Sequence, residues 1–381
     1  MRASGNRAVR QAEKSVTVGF HAPLPPAPTG VADYAAALLG ALRQLGPVEV
    51  ASERCDVHLF HFGNNPLHAG IYRRALERPG VIVLHDAVLH HFLLGQLDQP
   101  RYIEEFVYNY GAWNRQLAAD LWSNRSAAAS DNRYFQFPML KRVCERARAV
   151  VVHNPAAARM VKEHAPQAPV IEIPHLFQPP EPLPEPEVAR YRQRLGLPSD
   201  AFVFGVFGYL RESKRLAGVL QTFAQLRREN PRAALVIAGS FISTDLERAV
   251  EPLLAEPGVL RLPHLSERDF WLTAAAVDAC INLRDPAAGE TSGIAIRLMG
   301  IGKPVLLTGS EENLRFPLDA CIRIPPGVAE RDSLWRHMVL LLSVPELAGT
   351  IGSRAADHIR VHHALDQVAH RYWDTLCEHR S

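Results

Sequence analysis

The stretch Arg284–Val305, RDPAAGETSGIAIRLMGIGKPV, follows one apolar run, Ala279–Leu283, and leads into another, Val305–Leu307. Asp285, Pro286 and Gly289 mark a strand running out into a loop. After Glu290, Thr291, Ser292 and Gly293 the spacing turns helical, with Ile294, Leu298 and Ile301 on one face. Gly302 and Pro304 stop that helix, and a strand follows. Such a loop points free backbone N–H groups and the positive end of a helix dipole at one place, which suits a phosphate. Glu290 beside it is placed to accept hydrogen bonds from hydroxyls of a sugar carried by that phosphate. An ordinary βα turn capped by Ser and Thr would use the same residues.

Outward from this stretch the same alternation repeats. Phe202–Phe207, Ala234–Ala238 and Val259–Leu262 read as buried strands, separated by helices near Leu216–Arg228 and Asp245–Leu254. Ser266 and Asp269 suggest a capping box on the next helix. Arg211 and Lys214 lie in a loop opened by Gly208, at a strand end. Cations at a helix start oppose its dipole, so their placement calls for another reason, such as a diphosphate.

The first half alternates as well. Val16–Phe20, Val48–Ala51, Val57–Phe62, Val81–Leu84, Val150–His153 and Val170–Ile173 read as strands. A proline-rich loop, His21–Gly30, separates the first of them from a helix expected from Asp33, and Gly30 offers a ligand close approach to the backbone. This loop is not G-x-G-x-x-G, which argues against a simple dehydrogenase. In open parallel sheets ligands bind past the carboxyl ends of strands, the position of His61, Asn64, His85 and Asp86. His90 and His91 fall in the following helix. The aromatic-rich segment Arg101–Met139 reads as helical core, or as the wall of an acceptor cleft. Between the halves, Pro174–Pro186 holds six prolines in thirteen residues, an extended linker.

The expected architecture is therefore α/β, two doubly wound Rossmann-like parallel sheets facing a central cleft. The divisions are a flexible basic tail (1–15), an N-terminal Rossmann-like domain (16–176), a linker (177–190), a C-terminal Rossmann-like domain (191–360) and a closing helix (361–381). At 381 residues the chain is long for one core. A net charge of +2, without a block of Lys and Arg among aromatics, gives no case for nucleic acid. No apolar run approaches the ~20 residues of a membrane span. The basic N-terminus lacks the apolar segment of a secretory signal, and leaves membrane-surface contact as its weaker reading. Five scattered cysteines fit reduced thiols in the cytoplasm, with no ligand cluster for a metal.

Phe207-Gly208-Tyr209-Leu210 with Lys214-Arg215, then ALVIAG at Ala234–Gly239, then GETSGIAIRLMGIGKPV, resembles the C-terminal half of retaining family 4 glycosyltransferases of the GT-B fold. Pro23–Tyr34 is similar to that family's first loop and helix, and the resemblance spans most of residues 16–375. It implies a nucleoside-diphosphate sugar bound by the second domain through Gly208, Arg211, Lys214, Glu290, Thr291, Ser292, Gly293 and Ile294, with Gly30 approaching it from the first. Catalysis would rest on His85, Lys214 and Glu290. A glycan, lipid-linked glycan or small metabolite would be the acceptor, with Thr29, Asp33, His61, Asn64 and Asp86 on its side. No cofactor or metal is implied. Two positions depart from the pattern: Tyr209 stands where an Arg precedes the Lys, and the second carboxylate of the E-x7-E element is replaced by Arg297 or Leu298, depending on the direction of counting. A sugar-nucleotide-binding protein without turnover is the alternative.

Overall fold

The computed structural model describes residues 16–380; the basic tail expected over residues 1–15 lies outside them. Strands β1 (Val18–His21), β2 (Val48–Val50), β3 (Val57–Phe62), β4 (Val81–Leu84), β5 (Ala149–Val152) and β6 (Val170–Glu172) form one six-stranded sheet in the order β2-β1-β3-β4-β5-β6. Strands β7 (Phe202–Phe207), β8 (Ala233–Ala238), β9 (Val259–Leu262), β10 (Ala279–Asn282), β11 (Val305–Thr308) and β12 (Ile322–Ile324) form a second, ordered β12-β11-β10-β7-β8-β9. Every pairing in both sheets is parallel.

Parallel strands inside a sheet are covered on both faces, which explains the unbroken apolar runs of β4, β5, β7 and β8. Along β3 and β4, Leu59, Val81 and Val83 join the core under the helix Gly30–Leu45, whereas Phe60, Phe62, Ile82 and Leu84 join the core on the other face. The second sheet divides Val203, Phe207 and Val236 from Phe204, Val206 and Leu235 in the same way. Full burial of each such side chain contributes about 1.5–3 kcal/mol. Tyr102 and Phe106 of the aromatic segment are core, while Trp113 of the same segment stays 85% exposed. Among the described residues no helix is long and apolar enough to cross a membrane.

Both sheets reverse direction beside their first strand. The crevices lie between β1 and β3 in the first sheet and between β7 and β10 in the second. These are the switch points at which open α/β sheets bind ligands.

Several boundaries differ from expectation. The first helix begins at Gly30, not Asp33, because the Thr29 side chain caps it by accepting from the Val31 amide. The proline-rich segment is extended only to Pro184; Glu185–Arg194 is a helix that tolerates Pro186 in its first turn, where no amide bond is lost. The expected closing helix is two helices, Pro345–His362 and Leu365–Glu378, and Val361 is exposed on the first of them. The second packs Val368, Ala369, Tyr372 and Leu376 into the core of the first sheet. There the buried Tyr34 and Tyr372 hydroxyls are joined at 2.9 Å. Strand β12 had no counterpart among the expected elements.

Candidate active site

The β7–β10 crevice is built by two loops that hold each other. The Asp285 amide, just past β10, donates to Ser213 O in the turn after β7 at 2.8 Å. Gly208 leaves β7 at φ +86, and a Cβ there would lie 3.1 Å from Lys214 Nζ and 3.3 Å from Ile294 Cγ1. Glycine is needed for the dihedral and also for the approach of loop, lysine and helix start. Ser292 caps the helix Gly293–Gly300, its hydroxyl accepting from the Ala295 amide at 3.2 Å. The Gly293 and Ile294 amides have no acceptor among the described residues. The lysine ammonium and the open helix end thus converge at Gly208.

Lys214 is 6% exposed, and its Nζ donates to Phe207 O at 2.5 Å. Burial, then Arg284 and Arg211 nearby, hold its pKa well below the ordinary lysine range, with Glu290 alone opposing. Burial would raise Glu290, but the positive charges of Arg284 and Arg211 hold it below the usual carboxylate range. Arg284 Nη1 donates directly to Glu290 Oε1. Two arginines and the buried lysine therefore surround one carboxylate in a largely buried place.

The first sheet supplies the facing wall. Asp86, just past β4, is hydrogen-bonded to Glu290 and takes the Asn64 amide at 2.8 Å. Burial and the Glu290 charge push it up to about 7. His85 Nε2 and His61 Nδ1 are joined at 3.0 Å, and the His61 carbonyl takes a bond from His68 Nδ1 at 2.9 Å. His153 and His175 complete the group around the Tyr34 ring. Burial, with the neighbouring His153 second, keeps His85 and His61 well below the ordinary histidine range. These imidazoles are neutral at pH 7.

The two walls touch. The Ala87 amide donates to Ala288 O at 2.9 Å, and Asn154 Nδ2 donates to Gly289 O at 2.9 Å and Thr291 Oγ1 at 3.0 Å. Gly289, at φ +65, presses so near that a Cβ would lie 2.6 Å from Ala87 Cβ.

Gly208, Arg211, Lys214, Glu290, Thr291, Ser292, Gly293, Ile294, His85 and Asp86 thus gather round one cleft. The remaining expected positions differ. No atom lies within 4 Å of a Cβ built on Gly30, which faces open space. Thr29 is occupied as a helix cap, and Asp33 is exposed in the first turn. His61 is fully buried within β3 and reaches the cleft only through His85. The Asn64 side-chain oxygen accepts from the Phe92 amide at 2.7 Å, steadying the helix His90–Gln96. Tyr209 stacks its ring on His264. Arg284, Asn154, His153 and His175 are site residues that sequence reasoning did not single out. Arg284 carried a signal, a lone charge at the end of an apolar strand. Asn154 carried another, an Asn-Pro helix start just past β5.

Two Rossmann-like parallel sheets with facing strand ends define the GT-B fold, and this chain has it. It is similar over 95% of its length and all of the other chain to the Anabaena protein HepE in complex with UDP and glucose, at TM-score 0.65 and 16% identity. Sucrose-phosphate synthase from Thermosynechococcus elongatus superposes at TM-score 0.63 with 15% identity, covering 95% of this chain and 98% of that one. WaaG, a glycosyltransferase involved in lipopolysaccharide biosynthesis, does so at 0.62 with 14% identity, over 94% and 99%. In sequence, 123 residues are 33% identical to D-inositol 3-phosphate glycosyltransferase of Stackebrandtia nassauensis, spanning 30% of this chain and 28% of that protein. No family model matches the chain.

Proposed function

We propose that the chain is a retaining, family 4-type glycosyltransferase that moves a sugar from a nucleoside-diphosphate sugar to a hydroxyl acceptor without a metal ion. One observation carries this reading: buried Lys214, the open amides of Gly293 and Ile294, and Glu290 converge on the switch point of the second sheet. As the bond from the anomeric carbon to the diphosphate breaks, negative charge grows on the phosphate and positive charge on the sugar ring. Lys214, Arg211, Arg284 and the helix end stabilise the first from fixed positions. Glu290 accepts from sugar hydroxyls, and neutral His85 faces the sugar from the first sheet. No protein nucleophile is assigned. The closed walls exclude water and protect the donor from hydrolysis. The acceptor enters over Asp33 and Asp86. The chain works in the cytoplasm, peripheral to the membrane where the acceptor is lipid-linked. The UDP and glucose bound to HepE and the activities named for the other relatives support the donor class.

The test is a melting-temperature panel with UDP-, GDP-, ADP- and dTDP-sugars, followed by donor hydrolysis and transfer assays with the best binder. Lys214→Ala and Glu290→Ala abolish turnover, and NMR reads an unchanged anomeric configuration in the product. Loss of activity in chelator contradicts metal independence. Donor binding without turnover toward any acceptor favours the sugar-nucleotide-binding alternative.

A further inference from the structure

Arg297 lies one helical turn beyond Gly293, and its side chain is fixed. Its guanidinium sits over the rings of Phe270 and Trp271, 4.0 and 4.3 Å from their centroids. Its Nη2 donates to Glu267 Oε1 at 2.5 Å, and Trp271 Nε1 donates to the same oxygen at 2.8 Å. Glu267 is the first residue of the helix Glu267–Ala276, in the connection that leaves the carboxyl end of β9.

One carboxylate oxygen is thus held by two donors. The other, Oε2, makes no hydrogen bond among the described residues, and the side chain is 68% exposed. A carboxylate has about four acceptor positions, so the free oxygen retains its capacity for hydroxyl donors. Asp33, in the first turn of the helix Gly30–Leu45, is raised first by burial and next by the charge of Glu267, so the two carboxylates lie within electrostatic reach of each other across the two domains. Tyr209, next to Gly208, and His264, three residues before Glu267, hold their rings 21° from parallel with centroids 6.2 Å apart. A flat aromatic surface and a fixed carboxylate therefore follow the phosphate-binding loop along the same row of strand ends.

We propose that Glu267, positioned by Arg297 and Trp271, is the specificity-determining residue that accepts the vicinal hydroxyls of the nucleotide's ribose. The assignment rests on the nucleoside-diphosphate reading of the Lys214 loop, and supplies from a neighbouring helix a carboxylate that the helix Gly293–Gly300 lacks. Glu267 in a first helical turn also favours its own helix dipole, a purely structural role that would be indifferent to ribose hydroxyls.

The test uses the full chain and calorimetric titration of UDP and GDP, each beside its 2′,3′-dideoxy analogue. Wild type binds the ribonucleotide about 10- to 100-fold more tightly than the dideoxy form, the range for hydrogen bonds to a charged group. Glu267→Ala drops the ribonucleotide to the dideoxy level and leaves dideoxy affinity unchanged. Arg297→Met, which frees the carboxylate to rotate, gives an intermediate ratio. Equal losses for both nucleotides, or no loss, overturn the assignment while the donor reading stands. Failure of both diphosphates, and of ADP and dTDP, to bind wild type overturns the two together.

Discussion

Lys214→Met separates the role of the lysine in binding from its role in folding. In the free protein the ammonium is buried, has one hydrogen bond to a carbonyl, and lies near two arginines against one carboxylate. An imperfectly paired buried charge is a burden on stability, and because Glu290 is already paired with Arg284, exchange of the lysine for an apolar side chain of similar length removes a desolvation cost without stranding a carboxylate. The variant therefore melts at the wild-type temperature or a few degrees higher. A diphosphate supplies the missing counter-charge, and loss of one charge-assisted bond removes about 1.5–3 kcal/mol of binding, or about 10- to 150-fold in affinity. Proton linkage gives an independent sign. The folded pKa lies below the unfolded 10.5, so between those values the unfolded chain holds more protons and this group's contribution to stability rises with pH. At pH values above the lowered pKa a bound diphosphate draws the proton back, so UDP binding there takes up protons and weakens as pH rises, and Lys214→Met removes that component. Scanning calorimetry and UDP titration in buffers of different ionisation enthalpy read both effects. A variant that melts several degrees lower yet binds UDP like wild type would refute the reasoning.

Asp86→Asn keeps a hydrogen-bonding group against Glu290 at every pH. Wild-type Asp86 is raised from 3.8 to about 7, so the folded protein holds a proton that the unfolded chain releases, and this contribution declines as pH rises through that window. The melting temperature of Asp86→Asn relative to wild type rises from about pH 5 to about pH 8, and a pH-independent gap counts against the shared proton. Gly289→Ala places a methyl 2.6 Å from Ala87 Cβ at φ +65 and opens the cleft, visible as a larger radius of gyration in solution scattering, with transfer lost before UDP binding. An unchanged radius with full transfer contradicts this. Tyr34→Phe strands the buried Tyr372 hydroxyl and lowers stability by about 1–3 kcal/mol in urea melts; adding Tyr372→Phe costs less than the sum of the two single changes. Simple additivity would remove the bond from consideration.

The elements were legible because parallel strands are covered on both faces, so Val57–Phe62, Val81–Leu84 and Phe202–Phe207 stand out as apolar runs. Three-residue β12, with Arg323 in its middle, offers no such run. The break near Ala364 was hidden for another reason. No Gly or Pro marks it, and it exists because the chain turns back there to cover the first sheet.

At the site, the half that could be read is the half made by local backbone geometry. Gly208, Ser292 and Gly293 follow from a loop entering a helix, and Lys214 and Glu290 from their position on such loops. The other half is charge compensation and clamping between distant segments. Asn154 reaches Thr291 across 137 residues, and Glu267 meets Arg297 across 30. Asn-Pro announces a helix cap at residue 154, and the Asn154 oxygen does accept from the Ala157 amide. Nothing local foretells that its amide nitrogen binds the opposite wall. The same holds for Arg284, whose charge is intelligible only once Glu290, Lys214 and Asp86 are seen together. Local geometry fixes where an anion can lie, and long-range pairing fixes how much positive charge awaits it there.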